Sequence, residues 1–437
     1  MQARTLWRRL LGVEKTVVES VDFEEELDGS VRLVAHVRPT SKAASRCGRC
    51  GRRSGVYDRG EGRRRWRGLD FGEVMIFLEA EAPRVRCREH GVIVAAVPWA
   101  RHDAGHTYTF DQQVAWLATQ SSKTAITALM RIAWRTVGAI ITRYWSDTAA
   151  AVDAFAGLRR IGVDEISYKK GHKYLIVVVD HDSGRLVWAA PGRDKATLNT
   201  FFDALAASTL PGEITGETAG GDRCSLITHV SADGAEWISS VVTERCPNAV
   251  RCADPFHVVK WATEALDEVR REAWNEARGA VFQRRAGRAT GVAKDLKGAR
   301  WALWKNPEDL TVKQTAQLEW IVKTNPRLYR AYLLKEGLRT VFKLPLPEAT
   351  EALDRWLSWA RRCRIAAFVK LAKSIKKHQA SILASIEHGL SNGRIESVNT
   401  KIRLITRVAF GFKSPEALIA LAMLNLGGHR PVLPGRQ

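Results

Sequence analysis

The run Ile161-Gly162-Val163-Asp164-Glu165-Ile166-Ser167-Tyr168 sets carboxylates inside a stretch whose apolar neighbours otherwise read as a buried strand. A carboxylate there is costly unless a cation offsets it, so Asp164 reads as a metal ligand on a central strand. Asp233 stands where a strand, Leu226 to Ser231, gives way to a helix, and open α/β sheets hold ligands at such strand ends. Asp233-Gly234-Ala235-Glu236 also matches a capping box, which is the plain structural alternative. Asp254-Pro255-Phe256-His257 repeats the strand-then-acid pattern, and capping is the local explanation of Asp254, with Pro at the first helical position. Glu396 follows Ser391-Asn392-Gly393 and opens a helix, where the dipole alone favours an acid. Asp180 precedes His181-Asp182-Ser183-Gly184, and a hairpin turn accounts for it. Singly these acids are ambiguous. Together they suit phosphodiester chemistry with two magnesium ions about 3.5 to 4 Å apart, which needs a few carboxylates converging from separate elements. Magnesium leaves its other positions to water and phosphate.

The elements that must position these residues follow from periodicity. Three strands are expected at Arg160 to Tyr168, His172 to Asp180 and Arg185 to Ala190, then a helix from Asp194 to Ala207 and a Gly-rich loop, Thr209 to Arg223. The strand Leu226 to Ser231, a helix Ala235 to Glu244, a strand Ala249 to Ala253 and a helix from Phe256 complete the run. Three antiparallel strands followed by alternating helices and strands is the order of a ribonuclease-H-like α/β domain. Residues 261 to 390 show helical periodicity only, with Trp261, Leu266, Val269 and Trp274 on one face and Leu353, Trp356, Leu357 and Ala360 on another. This reads as an all-helical insertion, broken by Pro307, Pro326, Pro345 and Pro347. Glu264 lies about three turns beyond Asp254 on a helix that should lead away from the strand ends, and Glu387 reads as a solvent-facing residue on a Lys-rich helix, so Glu396 is the better third acid. Helices at Ser391 to Thr406 and Ala409 to Leu426 precede a Gly/Pro/Arg tail expected to be disordered.

Upstream, two strands, Thr16 to Glu26 and Val31 to Arg38, are joined through Asp28-Gly29. Cys47-Gly48-Arg49-Cys50 and Cys87-Arg88-Glu89-His90 are two knuckles of a zinc ribbon, flanking a strand at Val74 to Ala80. Each knuckle supplies two of the four ligands a structural zinc takes, Cys47, Cys50, Cys87 and His90. His102 and His106 stand as alternative fourth ligands. Between the knuckles, Arg63-Arg64-Arg65-Trp66-Arg67 reads as a strip that tracks a phosphate backbone while the indole packs or stacks. Helices at Phe110 to Thr119, Ala125 to Ile132 and Trp134 to Tyr144 suggest a helix-turn-helix whose last helix offers Arg135, Thr136 and Arg143 to DNA. A short trihelical bundle has the same pattern. Ser146 to Gly157 reads as a linker.

The chain has 437 residues, too many for one ordinary core. With 68 Lys+Arg against 47 Asp+Glu the net charge is +21, and the basic runs are interleaved with many of the 15 Trp, which favours a nucleic-acid partner over a neutral metabolite. No run of 18 or more apolar residues appears, and the basic stretch Met1 to Arg9 leads into only Leu10-Leu11-Gly12-Val13 before charge returns, so the chain is expected to be neither membrane-spanning nor secreted. Of the seven Cys, Cys224, Cys246, Cys252 and Cys363 lack ligand spacing and read as free thiols of a reducing cytoplasm.

These residues resemble a family, the bacterial DDE-class insertion-sequence transposases, specifically the ISL-three family. The matches are Gly162-Val163-Asp164-Glu165, Ser231-Ala232-Asp233-Gly234, Ala253-Asp254-Pro255-Phe256-His257-Val258-Val259-Lys260, Ser391-Asn392-Gly393-Arg394-Ile395-Glu396-Ser397-Val398-Asn399 and Ala409-Phe410-Gly411-Phe412. The resemblance implies Asp164, Asp233 and Glu396 as the catalytic triad and Asp254 with His257 as an accessory feature. His90 stands where Cys is more usual. It further implies magnesium, or manganese, in the site, structural zinc, double-stranded DNA as partner (element ends and target), a homodimer on paired ends, and work at the bacterial nucleoid. The expected division is a β/zinc-ribbon domain (1–107), a helix-turn-helix (108–150), a catalytic domain in two parts (151–260 and 391–437) and the insertion (261–390). The competing readings are a ribonuclease-H-like resolvase, which explains the acids but not the paired DNA-binding modules, and a non-catalytic zinc-ribbon regulator, which the intact acids oppose.

Overall fold

A computed structural model describes residues 3–25, 29–208, 223–283 and 288–436. The expected Gly-rich loop therefore lies outside the described residues, apart from Arg223, as does Asp28 of the first hairpin. Two compact units make up the chain, residues 1–152 with 405–437, and residues 153–404.

The first unit opens with a helix that periodicity did not announce, α1 (Ala3–Leu10). It continues through β1 (Thr16–Glu25), β2 (Val31–Pro39), β3 (Gly55–Asp58), β4 (Arg63–Arg67), β5 (Met75–Glu81), β6 (Arg84–Cys87) and β7 (Gly91–Val94). These strands form two sheets, ordered β1-β2-β5-β4 and β3-β6-β7. Alternation drives the larger one: Leu33, Ala35 and Val37 of β2 face a core shared with Trp66, Ile76, Leu78 and Trp99. Then come α2 (Tyr108–Gln120), α3 (Lys123–Met130) and α4 (Trp134–Ala151). Thr107 and Ser122 cap the first two through their side-chain oxygens. Arg131, in the left-handed region at φ 51°, makes the turn between α3 and α4. Residues Ser146–Ala151 continue α4 and are not the linker the sequence suggested, because nothing in Ser-Asp-Thr-Ala-Ala-Ala breaks a helix.

In the second unit, β8 (Arg160–Lys169), β9 (Lys173–Asp180) and β10 (Leu186–Pro191) are followed by α5 (Lys195–Ala207), β11 (His229–Ala232), α6 (Glu236–Arg245), β12 (Val250–Ala253) and the long α7 (Pro255–Gln283). The five strands are ordered β10-β9-β8-β11-β12. The first three run antiparallel, while β8, β11 and β12 are parallel neighbours. A 3-10 turn at Arg223–Leu226 displaces the start of the strand expected from Leu226. One sheet face, with Ile161, Val163, Val178 and Val230, packs on Phe201, Phe202 and Leu205 of α5 and Ile238, Val241 and Val242 of α6. Each such buried apolar side chain contributes about 1.5–3 kcal/mol.

After α7 the described residues of the insertion are helical throughout: α8 (Arg288–Gly298), α9 (Arg300–Trp304), α10 (Val312–Thr324), α11 (Pro326–Val341), α12 (Leu346–Arg362), α13 (Ala366–Lys377) and α14 (Gln379–Glu387). Leu266, Val269, Leu353, Trp356, Leu357 and Ala360 lie in one core, as their spacing suggested, with Trp261 and Trp274 against it. Pro326 occupies the first turn of α11, and Pro345 and Pro347 bracket the start of α12.

Next, α15 (Gly393–Val408) carries the chain through the division between units, and α16 (Pro415–Leu426) packs on α4 and α2 in the first unit. Residues 405–437 thus group with the first unit rather than with the α/β unit, since α16 buries Leu418, Leu421, Met423 and Leu424 there. The tail is held as well: Gln112 Nε2 donates to the Val432 carbonyl at 3.0 Å. Among the described residues no single helix is long and apolar enough to cross a membrane.

Candidate active site

Strand register sets the acids in a row. Val163 pairs with Ala232 across β8 and β11, and Ala232 with Ala253 across β11 and β12. Asp164, Asp233 and Asp254 are each one residue further on, so they stand level on three adjacent strands. The face of β8 opposite α5 and α6 is covered by α15. Ile395 lies against Gly162, where an added Cβ would come within 2.2 Å of Ile395 Cδ1. One turn along α15 from Glu396, Asn399 Nδ2 donates to Asp164 Oδ2 at 2.8 Å, while the Glu165 N–H donates to Oδ1 at 2.8 Å.

Burial pushes the Asp164 carboxyl above the usual carboxylate range; the Glu165 N–H and His257 oppose the shift, and the charges of Asp233 and Asp254 add to it. A hydrogen bond from His257 Nδ1 to Asp254 Oδ2, at 2.6 Å, raises His257 above an ordinary histidine, with Asp233 and Asp164 adding to the effect. His257 therefore stands beside the acids and holds a proton more readily than an ordinary histidine. Among the described residues no lysine or arginine is paired with Asp164, Asp233 or Glu396. Oxygen donors without a basic partner are what a hard divalent cation takes.

Asp233 does not cap α6: the N-cap is Ala235, without a side-chain bond, and Asp233 Oδ1 instead accepts from the Ala235 N–H at 2.9 Å. Asp254 does cap α7, accepting from the N–H groups of Phe256 and His257 at 3.3 Å each, and it also accepts from the Asn392 N–H at 3.2 Å. A buried chain continues from there. Asn392 Oδ1 accepts from Ser231 Oγ at 2.7 Å, and Ser231 Oγ meets His181 Nε2 at 2.7 Å. Asn392, Asn399, Ser231 and His181 had no role in the sequence reading, although the motifs around Asp233 and Glu396 contain three of them. Glu396 is half-buried between Asn392 and Asn399, whereas Glu264 and Glu387 are exposed. Asp180 accepts from Asp182 N–H at 3.0 Å and serves its turn.

The knuckle residues also converge. Cys47 Sγ and Cys87 Sγ each lie 3.7 Å from His90 Nδ1, Cys50 Sγ lies 3.7 Å from Cys87 Sγ, and all four donor atoms fall within 4.8 Å of one another. Those separations are what tetrahedral zinc with bonds of about 2.0–2.3 Å imposes. Backbone N–H groups of Glu89 and His90, with the His90 ring, bring Cys87 down to about 6. His102 sits against Gly48 and His106 stacks on Phe110, so neither joins the cluster. The other four Cys are buried.

The basic strip is organised differently from the expectation. Trp66 is buried, 5.5 Å from Trp99 edge to face, and so offers no ring to a base. Arg67 is buried beside Asp70, Arg65 binds Glu24 and Glu79, and Arg63 binds Glu79 at 2.7 Å. Strand pairing explains part of this: β4 is the edge strand of its sheet, and its register on β5 sets Arg65 opposite Glu79. Arg64 is half-buried with its guanidinium over Trp66. In the helix-turn-helix, Arg143 is spent on the fully buried Asp111, at 3.0–3.1 Å, alongside Arg101. Arg135 is exposed and Thr136 half-exposed near the start of α4.

A four-donor cluster of zinc-ribbon spacing, a helix-turn-helix and an acid row on a mixed sheet, in that chain order, are the parts of an insertion-sequence transposase. Residues 161–422 match a transposase domain of the ISL3 type, residues 95–145 the helix-turn-helix domain of transposase family ISL3, and residues 43–90 the zinc-finger of transposases IS204/IS1001/IS1096/IS1165. The chain belongs to the ISL3 family of transposases. It is 62% identical to the transposase for insertion sequence element IS1557 of Mycobacterium tuberculosis, over 99% of this chain and 97% of the relative. It is 27% identical to the transposase for insertion sequence element IS1001 of Bordetella parapertussis, over 95% and 96%.

Proposed function

We propose that this transposase cleaves and joins DNA at the ends of its own element through a metal site held by Asp164, Asp233 and Glu396. The observation that carries the reading is the level row of acids with α15, and Glu396 on it, laid across β8. The strand order supports a ribonuclease-H-like catalytic domain, completed by Glu396 after the helical insertion. A pair of magnesium or manganese ions, when bound, supplies charge stabilisation for the attacking and leaving oxygens of an in-line displacement. The protein's own part is to hold the donors. Asp164 and Asp233 present oxygens from neighbouring strands, Glu396 presents its carboxylate from the helix, and His257, anchored by Asp254, balances the charge of the row. No covalent protein–DNA intermediate is involved.

Cys47, Cys50, Cys87 and His90 hold a structural zinc. Residues 1–152 recognise the double-stranded element ends, with Arg135 and Thr136 of α4 meeting the DNA. Two copies join two ends as a homodimer, working in the bacterial cytoplasm on nucleoid DNA. The test is strand cleavage of end DNA in magnesium by Asp164→Asn, Asp233→Asn and Glu396→Gln variants. Each is expected to keep end binding and lose cleavage by 100-fold or more, on the order expected for removing a metal-holding group. Full cleavage by Glu396→Gln would remove Glu396 from the site.

A further inference from the structure

We propose that Asn399 is a positioning residue of the cleavage site, its amide orienting the Asp164 carboxylate for metal binding. The inference rests on Asp164 being a metal ligand. Asp164 has one donor on each oxygen: the Glu165 N–H at 2.8 Å on Oδ1 and Asn399 Nδ2 at 2.8 Å on Oδ2. Two donors on different oxygens fix the rotation of the carboxylate plane and leave the remaining lone pairs for a cation. The Glu165 contact is local, coming from the next residue in the chain. The Asn399 contact comes from another element, so it ties the strand acid to the helix that carries Glu396.

The amide is suited to this in its charge as well as its reach. A lysine or arginine at 399 would neutralise Asp164 and compete with the metal, and an aspartate would set acceptor against acceptor. A neutral donor orients the carboxylate without spending its charge. Asn399 is 3% exposed, so it has no water to exchange for the bond. Its approach is set by the other end of α15. There Asn392 accepts from Ser231 at 2.7 Å and donates its N–H to Asp254 at 3.2 Å, and Ile395 rests on Gly162. Asn392, Ile395 and Asn399 recur at intervals of three and four, which places them on one helix face. The helix is therefore pinned to β11, to the end of β12 and to β8, with Glu396 between the pins.

The experiment uses the full chain with Asn399→Ala and the nearly isosteric Asn399→Leu, which keeps the volume but not the donor, beside wild type and Asp164→Asn. Three quantities are read: manganese binding, from the paramagnetic resonance signal of the free ion; the magnesium concentration for half-maximal cleavage of end DNA; and thermal unfolding without metal. Both Asn399 variants are expected to unfold with wild type, to bind manganese about 10-fold or more weakly, and to recover cleavage when magnesium is raised in proportion. Wild-type metal binding in either variant overturns the proposal. So does earlier unfolding in both with cleavage lost at every metal concentration, which assigns Asn399 to packing. If Asp164→Asn cleaves normally, the metal-ligand reading itself fails. If Asp164→Asn is inactive while Asn399→Leu titrates like wild type, only the inference about Asn399 fails.

Discussion

Gly162 shows how closely single atoms govern the site. An added Cβ would lie 2.2 and 2.8 Å from Ile395 Cδ1 and Cγ1 and 2.9 Å from His181 Nε2. Helix α15 can approach β8 only because the strand has no side chain there. Gly162→Val is expected to lower stability by about 1–3 kcal/mol, the usual cost of overpacking, and to abolish cleavage at temperatures where the fold persists. Combining it with Ile395→Ala should recover part of both losses, read from urea midpoints and cleavage rates; strictly additive losses would show that the two residues do not meet. The residues themselves were unequally legible. Asp164 could be read from sequence because a lone carboxylate among apolar strand residues has few inexpensive roles. Asn399 could not, because an amide in a helix carries no periodicity or charge signal and its partner lies 235 residues away.

At the scale of elements, periodicity located nearly every strand and helix of the α/β unit, because each has one apolar face and a clear break. Charge runs were less faithful. The arginines of β4 read as a surface, but pairing with β5 turned Trp66 into the core and gave Arg65 and Arg67 acidic partners. The docking of α16 on α2 and α4 was hidden for a different reason: an apolar helix announces that it is buried, not against what. That contact leaves Lys123 almost fully buried, its ammonium 4.1 Å from the ring centres of both Trp134 and Phe412. Burial brings Lys123 down to about 8. Since the unfolded chain has the higher pKa, it binds more protons between pH 8 and about 10.5. The burial penalty is thus complete below pH 8 and fades as pH rises through that window. Lys123→Met is expected to stabilise the first unit at pH 7 by about 1–3 kcal/mol, and the advantage should shrink towards pH 10. A difference that stays constant with pH, in urea unfolding followed by tryptophan fluorescence, would remove the buried charge as its cause.

For the whole molecule, the division into residues 1–152 with 405–437 and residues 153–404 changes how the protein can be cut. Removing only the first 152 residues strands α16, whose Leu418, Leu421, Met423 and Leu424 are buried in the unit that would be gone. A helix with that much apolar surface and no partner promotes association. A fragment of residues 153–437 is therefore expected to aggregate, whereas residues 153–404 should remain monodisperse in gel filtration. The shorter fragment keeps the acid row, the pinned first turns of α15 and the insertion. It should bind DNA weakly and with steep salt dependence, because what remains is phosphate attraction without base readout. Selectivity for element ends should disappear with residues 1–152, and competition between end DNA and random DNA of equal length measures it directly. Retained discrimination by residues 153–404 would move end recognition to the helical insertion. A well-behaved 153–437 fragment would show that α16 finds cover without α2 and α4.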